Sequence, residues 1–293
     1  MAFNLATFRT RTLTAAVFVV VMAAGLLINE WSFFILFSIV HFGCWREYQK
    51  LVGLIDKEYV SITDFHRYGV MIAGWCVMLY FTDDNFTLFG IRLHALGWWL
   101  GLVFVFVLPL IELLFASNIR LKNIWHSAFG LVYISLSLGF LVDLYDHAQG
   151  MHYPWFLPVF IIACMWINDT MAYIVGSLIG KTPFSKISPK KTWEGTMGGI
   201  ILCVGVAGFL GTYLNEAAEL LNWPGYHWYT IAGIASIAGT AGDLLESKLK
   251  RLAGVKDSGN IMPGHGGFLD RFDSLLVAVP FVWLYIQIFT PAG

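Results

Sequence analysis

Charge is what this sequence has least of. Aspartate, glutamate, lysine and arginine make up 13% of the 293 residues, where a soluble domain carries about a quarter. A water-soluble enzyme of ordinary composition is therefore excluded. There is no low-complexity tract, no linker and no internal repeat. The four cysteines, Cys44, Cys76, Cys164 and Cys203, stand far apart inside apolar stretches without C-x-x-C spacing. They indicate neither zinc nor a disulfide framework and read as small buried side chains. Net charge is −1, so overall charge points to no partner, and no nucleic acid is expected. His41, His66, His94, His126, His147, His152 and His227 show no ligand spacing.

What fills the chain is apolar. Hydrophobic residues reach 58%, with 12 Trp and 24 Phe, and the mean hydropathy is +0.69. That composition suits a lipid-facing surface with interfacial aromatic belts. A bilayer core needs roughly 17 to 25 mostly apolar helical residues. Nine stretches approach this, near 12–29, 31–46, 67–82, 95–117, 125–143, 154–180, 196–214, 228–247 and 272–290. The third and eighth are short or polar for a span. The first follows Arg9 and Arg11 and resembles a signal peptide. It lacks a small-residue cleavage site and runs almost directly into the next stretch, so it reads as a retained span.

Orientation follows from the basic residues. With the N-terminus in the cytoplasm and nine alternating spans, 17 of the 18 Lys and Arg fall on the cytoplasmic side and only Arg92 falls outside. The expected fold is thus an all-α integral membrane protein of about nine transmembrane helices, N-terminus cytoplasmic and C-terminus outside. Residues 1–293 read as one polytopic domain. About 1–150 supply lipid-facing or scaffold spans nearly free of acidic residues, and about 151–293 are rich in polar residues and glycine.

Three polar stretches in that second part carry the chemistry. Asn168 and Asp169 lie within a long apolar helix, where a carboxylate costs about 2.5–3.5 kcal/mol or more. Asp169, Tyr173 and Gly176, at i, i+4 and i+7, share a helical face expected to point into the protein. The loop Ser188-Pro-Lys-Lys-Thr-Trp-Glu-Gly195 offers Lys190, Lys191 and Glu194. Positive-inside charge accounts for the lysines alone, but a triphosphate or an anionic headgroup would suit them as well. The richest stretch runs from Gly242 to Ser274. Asp243, Glu246, Ser247 and Lys250 form a polar stripe, Pro263-Gly-His-Gly-Gly267 breaks any helix, and Asp270 and Asp273 start the next. His265 is set apart from the other histidines by its glycine neighbours, which let backbone approach a ligand closely. Carboxylates beside Lys250, Arg251, Lys256 and Arg271 suit a hard divalent cation and phosphoryl or nucleotidyl transfer.

Ser247-x-x-Lys250-Arg251, Lys256-Asp257 and Pro263-Gly-His-Gly-Gly-x-x-Asp270-Arg271-x-Asp273 resemble the signature of the phosphatidate cytidylyltransferase (CDP-diacylglycerol synthase) family. Asn168-Asp169 and Ser188–Gly195 resemble it too, so the likeness is specific over about 160–275. The resemblance implies that CTP and phosphatidic acid give CDP-diacylglycerol and pyrophosphate at the cytoplasmic face of a bacterial inner membrane, with Mg²⁺ and a second cation such as K⁺. It implies a metal site of Asp243 and Asp270 with Asp273 beside them. Lys250, Arg251, Lys256 and Arg271 would meet phosphates. Asn168, Asp169, Lys190, Lys191, Glu194, Ser247 and His265 would line the substrates, and a homodimer is compatible with it. Two other readings stand beside it. A CTP-dependent kinase of dolichol-type lipids would share the setting without the long signature. A transporter would suit an intramembrane carboxylate, but transporters usually show inverted repeats. The acidic motif of CDP-alcohol phosphotransferases is absent.

Overall fold

The structure, a computed structural model, describes residues 5–115, 120–146, 153–218, 221, 223–261 and 266–290. It is helical almost throughout. In chain order come α1 (Leu5–Leu27), α2 (Glu30–Ile55), a 3₁₀ turn (Lys57–Ser61), α3 (Asp64–Tyr80), a small hairpin of β1 (Thr87–Leu88) and β2 (Ile91–Arg92), and α4 (Leu93–Phe115). Then follow α5 (Leu121–Gly130), a π turn (Leu131–Leu136), α6 (Ser137–Asp146), α7 (Phe156–Ile179), α8 (Trp193–Ala218), α9 (Tyr226–Leu252) and α10 (Leu269–Phe289). Each of the nine expected stretches falls on a helix, with α5, the π turn and α6 together making the fifth.

Five of these are long and apolar enough to cross a membrane: α4, the run Leu121–Tyr145, α7, α8 over Trp193–Ala217, and α10. The apolar window of α4 is 0% buried, and it exposes Val105, Phe106, Leu113 and Phe115. Water would penalise such a surface by about 25 cal/mol per Å²; hydrocarbon does not. This is an integral membrane protein. The other helices miss the threshold for physical reasons. Helix α3 has 17 residues, the apolar part of α1 is Thr12–Leu27, and α2 and α9 carry charged residues toward their C-terminal ends.

The chain divides into two compact units, Met1–Val142 with Leu249–Phe272 and Asp143–Lys248 with Asp273–Gly293. In the first unit the core is the stripe Phe33, Phe37, Cys44, Trp45, Tyr48 and Val52 of α2, all buried at helical spacing. Asn29 and Ser32 cap α2 reciprocally, satisfying amides that no turn of helix precedes. The Trp45 indole donates to Ser135 Oγ of the π turn at 2.9 Å, and His41 Nε2 lies 3.0 Å from the same oxygen. Helices α3 and α4 are joined by the hairpin, whose turn residues Phe89 and Gly90 take φ of 51° and 79°. Two central residues of positive φ fit a two-residue hairpin turn.

In the second unit, α7 and α8 touch almost backbone to backbone. A Cβ on Gly199 would meet the Asn168 carbonyl and Ala172, and one on Gly195 would meet the Ala172 carbonyl and Gly176. Small residues at i, i+4, i+8 permit such a membrane contact. The packed face is therefore Asn168–Ala172–Gly176. The expected inward face shares only Gly176 with it: Asp169 is exposed and Tyr173 is 77% exposed. The offset of one residue arises because close packing selects the smallest side chains, whatever the polarity of their neighbours. At the end of α6, Asp143 accepts from Trp283 Nε1 at 2.6 Å and Gln287 Nε2 at 3.2 Å, fastening it to α10.

Candidate active site

The second unit holds a cluster of carboxylates. Asp243 and Glu246 sit one turn apart on α9, and Asp273 near the start of α10. Gly242 brings them together: a Cβ there would lie 2.5 Å from the Asp273 carbonyl oxygen, so only glycine allows the two helices this approach. One oxygen from each of the three carboxylates lies within 4.8 Å of the others. Glu246 and Asp273 are buried and Asp243 is partly exposed. Full charges at that separation repel by roughly 3.5 kcal/mol per pair at an effective dielectric of 20. Lys191 pairs with Asp243. A cluster of three carboxylates gathered this closely is suited to attract a cation. All its donors are hard oxygens, the set that Mg²⁺ prefers while keeping water and phosphate as further ligands.

Lys191 reaches Asp243 from a loop shaped by its own backbone. Phe184 N donates to Lys191 O at 2.8 Å and Trp193 N to Thr182 O at 2.9 Å. Glu194 closes the loop by accepting from Thr182 Oγ1 at 2.7 Å and from the amides of Thr182 and Lys181 at 3.2 Å. Thr192 caps α8 by accepting from Gly195 N at 3.2 Å. Burial pulls the Lys191 ammonium below the usual lysine range, and Asp169 and Asp273 pull it back up in part. Lys190 is exposed. Asn168 is buried, donates to Thr240 Oγ1 at 3.4 Å, and its Oδ1 has no hydrogen-bond partner among the described residues.

The first unit holds a second cluster, built around Asp270. Its carboxylate accepts from Lys250 Nζ at 2.7 Å, Ser258 N at 2.9 Å and Gly267 N at 2.8 Å, and the Ser258 hydroxyl lies at 2.8 Å. The same hydroxyl lies 2.7 Å from Glu47 of α2, so one proton serves two carboxylates. Glu47, 6% exposed, also accepts from the amides of Phe268 at 2.9 Å and Leu269 at 2.8 Å. These are amides at the start of α10, which no helical carbonyl satisfies. Gly266 takes φ of 83°, and a side chain at Gly259 or Gly267 would collide with the Glu47 carboxylate. Gly266 and Gly267, expected to let backbone approach a ligand, stand against the carboxylates of Asp270 and Glu47.

Of the residues singled out from sequence, Asp243, Asp273 and Lys191 come together, with Asn168 and Asp169 in the same unit. Lys250 and Asp270 come together in the other. Asp270 is not in the carboxylate group; Glu246, noticed in the stripe without an assigned role, is. Ser247 is partly buried, while Arg251, Lys256 and Arg271 are exposed. His265 lies outside the described residues. Glu47 had not been singled out. Its one sequence signal is an acid directly after an apolar run, flanked by Arg46 and Lys50.

Residues 9–289 match the family described as the cytidylyltransferase family. A phosphatidate cytidylyltransferase of Haemophilus influenzae is 30% identical over 249 residues, 81% of this chain and 82% of that protein. Those of Synechocystis and Bacillus subtilis are each 39% identical, over 52% and 54% of this chain. The matches span 50% and 56% of the length of those two relatives.

Proposed function

The chain belongs to the cytidylyltransferase family, and from that premise we propose that it transfers the cytidylyl group of CTP to phosphatidic acid, giving CDP-diacylglycerol and pyrophosphate for phospholipid synthesis. The observation that carries this reading is the convergence of Asp243, Glu246 and Asp273, with Lys191 on Asp243, in an otherwise apolar protein. In the reaction a phosphatidate oxygen forms a bond to the α-phosphorus of CTP. The bond to the bridging oxygen breaks, and pyrophosphate leaves. The nucleophile is already an anion near neutral pH, so no strong base is needed. Catalysis then rests on positioning and charge neutralisation.

A Mg²⁺ ion supplies part of that neutralisation when bound, and Asp243, Glu246 and Asp273 are the residues that would hold it. Glu246 stands in this group by its distance to Asp243 and Asp273, where the resemblance put Asp270, which here engages Lys250, Ser258 and Gly267. Lys191 neutralises phosphate charge beside Asp243, and Lys190 receives the lipid phosphate from the same loop. Asp270 orients Lys250, which with Arg251, Lys256 and Arg271 serves the phosphates. Glu194 fixes the loop that carries both lysines. The same reading sets nine helices across a bacterial inner membrane, N-terminus and polar clusters on the cytoplasmic side, where CTP is found. Its support is the sorting of 17 of 18 basic residues to one side.

The test is pyrophosphate release from CTP and phosphatidic acid by detergent-purified protein. Asp273→Asn and Glu246→Gln are each expected to lower turnover by about 100-fold or more, with the thermal midpoint retained. Wild-type rates in both would sink the reading. Release of CDP, with a polyprenol as acceptor, would point to the lipid kinase instead.

A further inference from the structure

Away from both carboxylate clusters, the first unit contains a cleft of about 410 Å³ between the C-terminal half of α2 and the start of α3. Its size lies within the range of small-molecule sites, about 300–1,000 Å³. Arg46, Gln49 and Lys50 line it from α2, at i, i+3 and i+4, and Arg67 from α3. Three cations thus share one concavity. Arg46 and Lys50 are exposed and form no ion pair among the described residues. Arg67 is held by a bond to the Val60 carbonyl at 3.3 Å and lies 3.8 Å from Asp64, whose side chain is 84% exposed. Buried Gln49 donates to the Arg67 carbonyl at 2.9 Å, which fixes the two walls relative to each other before any ligand arrives. The rim is apolar: Leu54 is 47% exposed and Tyr68 58%. Two cations with no ion pair among the described residues, Arg46 and Lys50, in a preformed cleft beside exposed apolar surface, match an anionic head attached to a hydrocarbon body.

We propose that this cleft binds the phosphate group of an anionic phospholipid, with Arg46 and Lys50 as its primary contacts. All three cations lie in the segment that the charge asymmetry assigns to the cytoplasmic face, where an anionic leaflet attracts basic side chains. The residue after Arg46 is Glu47, whose carboxylate holds Ser258, Phe268 and Leu269. The lipid would therefore bind to the helix that anchors the start of α10, where Asp270 stands. The proposal does not rest on the reaction inferred above, since binding is read without substrates.

The experiment uses full-length protein in nanodiscs of phosphatidylcholine, with and without phosphatidylglycerol, and counts bound lipids by native mass spectrometry after release. Arg46→Gln/Lys50→Gln is expected to lose one phosphatidylglycerol per chain and to bind a short-chain phosphatidylglycerol about 30-fold more weakly, the effect of two surface cations. The charge-keeping Arg46→Lys/Lys50→Arg protein is expected to restore binding, which separates lost charge from lost fold. Displacement of the lipid by an equal concentration of inorganic phosphate would assign the cleft to soluble phosphate and overturn the lipid. Equal phosphatidylglycerol binding by wild type and the Gln double variant would overturn the site altogether.

Discussion

Removing the carboxylate of Glu47 tests how the polar loop of the first unit is held. Three groups converge on it: the Ser258 hydroxyl and the amides of Phe268 and Leu269, at 2.7 to 2.9 Å. A hydrogen bond to a charged group contributes about 1.5–3 kcal/mol, and a donor left buried without a partner costs about 1–3 kcal/mol. The three share one carboxylate and are not additive, so Glu47→Ala is expected to destabilise the closed arrangement of Ser258, Phe268 and Leu269 by about 3–5 kcal/mol, two to three such bonds. Glu47→Gln keeps the shape, but its amide nitrogen meets donors, and its effect should approach that of alanine. Hydrogen exchange reads the change directly, because exchange of these amides reports local opening. A 3–5 kcal/mol shift raises the open population by a factor on the order of 100 to 4,000. The Gly267, Phe268 and Leu269 amides should therefore exchange at least about 100-fold faster in either variant, while α7 and α8 stay as protected as before. Wild-type exchange at those three amides would refute the claim that Glu47 holds the loop, whatever happened to activity.

Gly242→Ala should destabilise the second unit by about 1–3 kcal/mol, the cost of overpacking, because its Cβ would meet the rigid Asp273 carbonyl. Gly239→Ala should cost less, since the nearest atom there belongs to the flexible Met165 side chain; thermal unfolding of both proteins settles the order, and equal midpoints would contradict it. Glu246→Gln should weaken Mn²⁺ binding, measured by calorimetry without CTP, whereas Asp270→Asn should leave it within a few-fold; the reverse would return the metal to Asp270. Asp56, between α2 and the 3₁₀ turn, accepts from Lys122 at 2.8 Å, and this bond holds its carboxyl below the ordinary carboxylate range. A depressed folded-state value means stability that is present above the unfolded value of about 3.9 and is lost as pH falls through the folded one. The midpoint gap between wild type and Asp56→Asn should thus be open at neutral pH and close below about pH 3.9; a gap unchanged at low pH would argue against it.

How much of this was legible beforehand depends on the range of the interaction. Helix positions were readable because apolar runs and their polar ends are local. So was the stripe Asp243, Glu246 and Lys250, because helical spacing alone aligns it. The grouping of Asp273 with Asp243 was expected; its cause, a glycine at 242 clearing space for a backbone carbonyl, was not. The role of Glu47 was out of reach. Its partners lie 211 to 222 residues away, and no local pattern encodes such a pairing. Asp270 was given to a metal by the family resemblance; that the amides of Ser258 and Gly267 also reach its oxygens is a tertiary feature that no spacing encodes. The same limit applies to α7: polarity suggested the face of Asp169, whereas packing chose the face of Ala172 by size. Charge sorting and hydropathy also part at α2 and α9, whose basic residues belong to the set expected on the cytoplasmic side and make both helices less apolar.

The π turn at Leu131–Leu136 bears on how this chain tolerates changes in length. An i→i+5 ring encloses one residue more than the α-helical ring. A run of helix containing one has absorbed an extra residue in a local bulge, leaving the helical faces before and after it in step. Here the flanking faces carry buried Asn123 and Ser127 on one side and Leu138, Leu141 and Val142 on the other. Deleting one residue within 131–136 would let the bulge tighten into regular helix with both faces still aligned, and would withdraw Ser135 from Trp45 and His41. The same deletion inside α5 or α6 would turn everything beyond it by about 100°. This segment is thus the place in the fifth apolar stretch where a residue can be gained or lost with the rest of the helix still facing its neighbours.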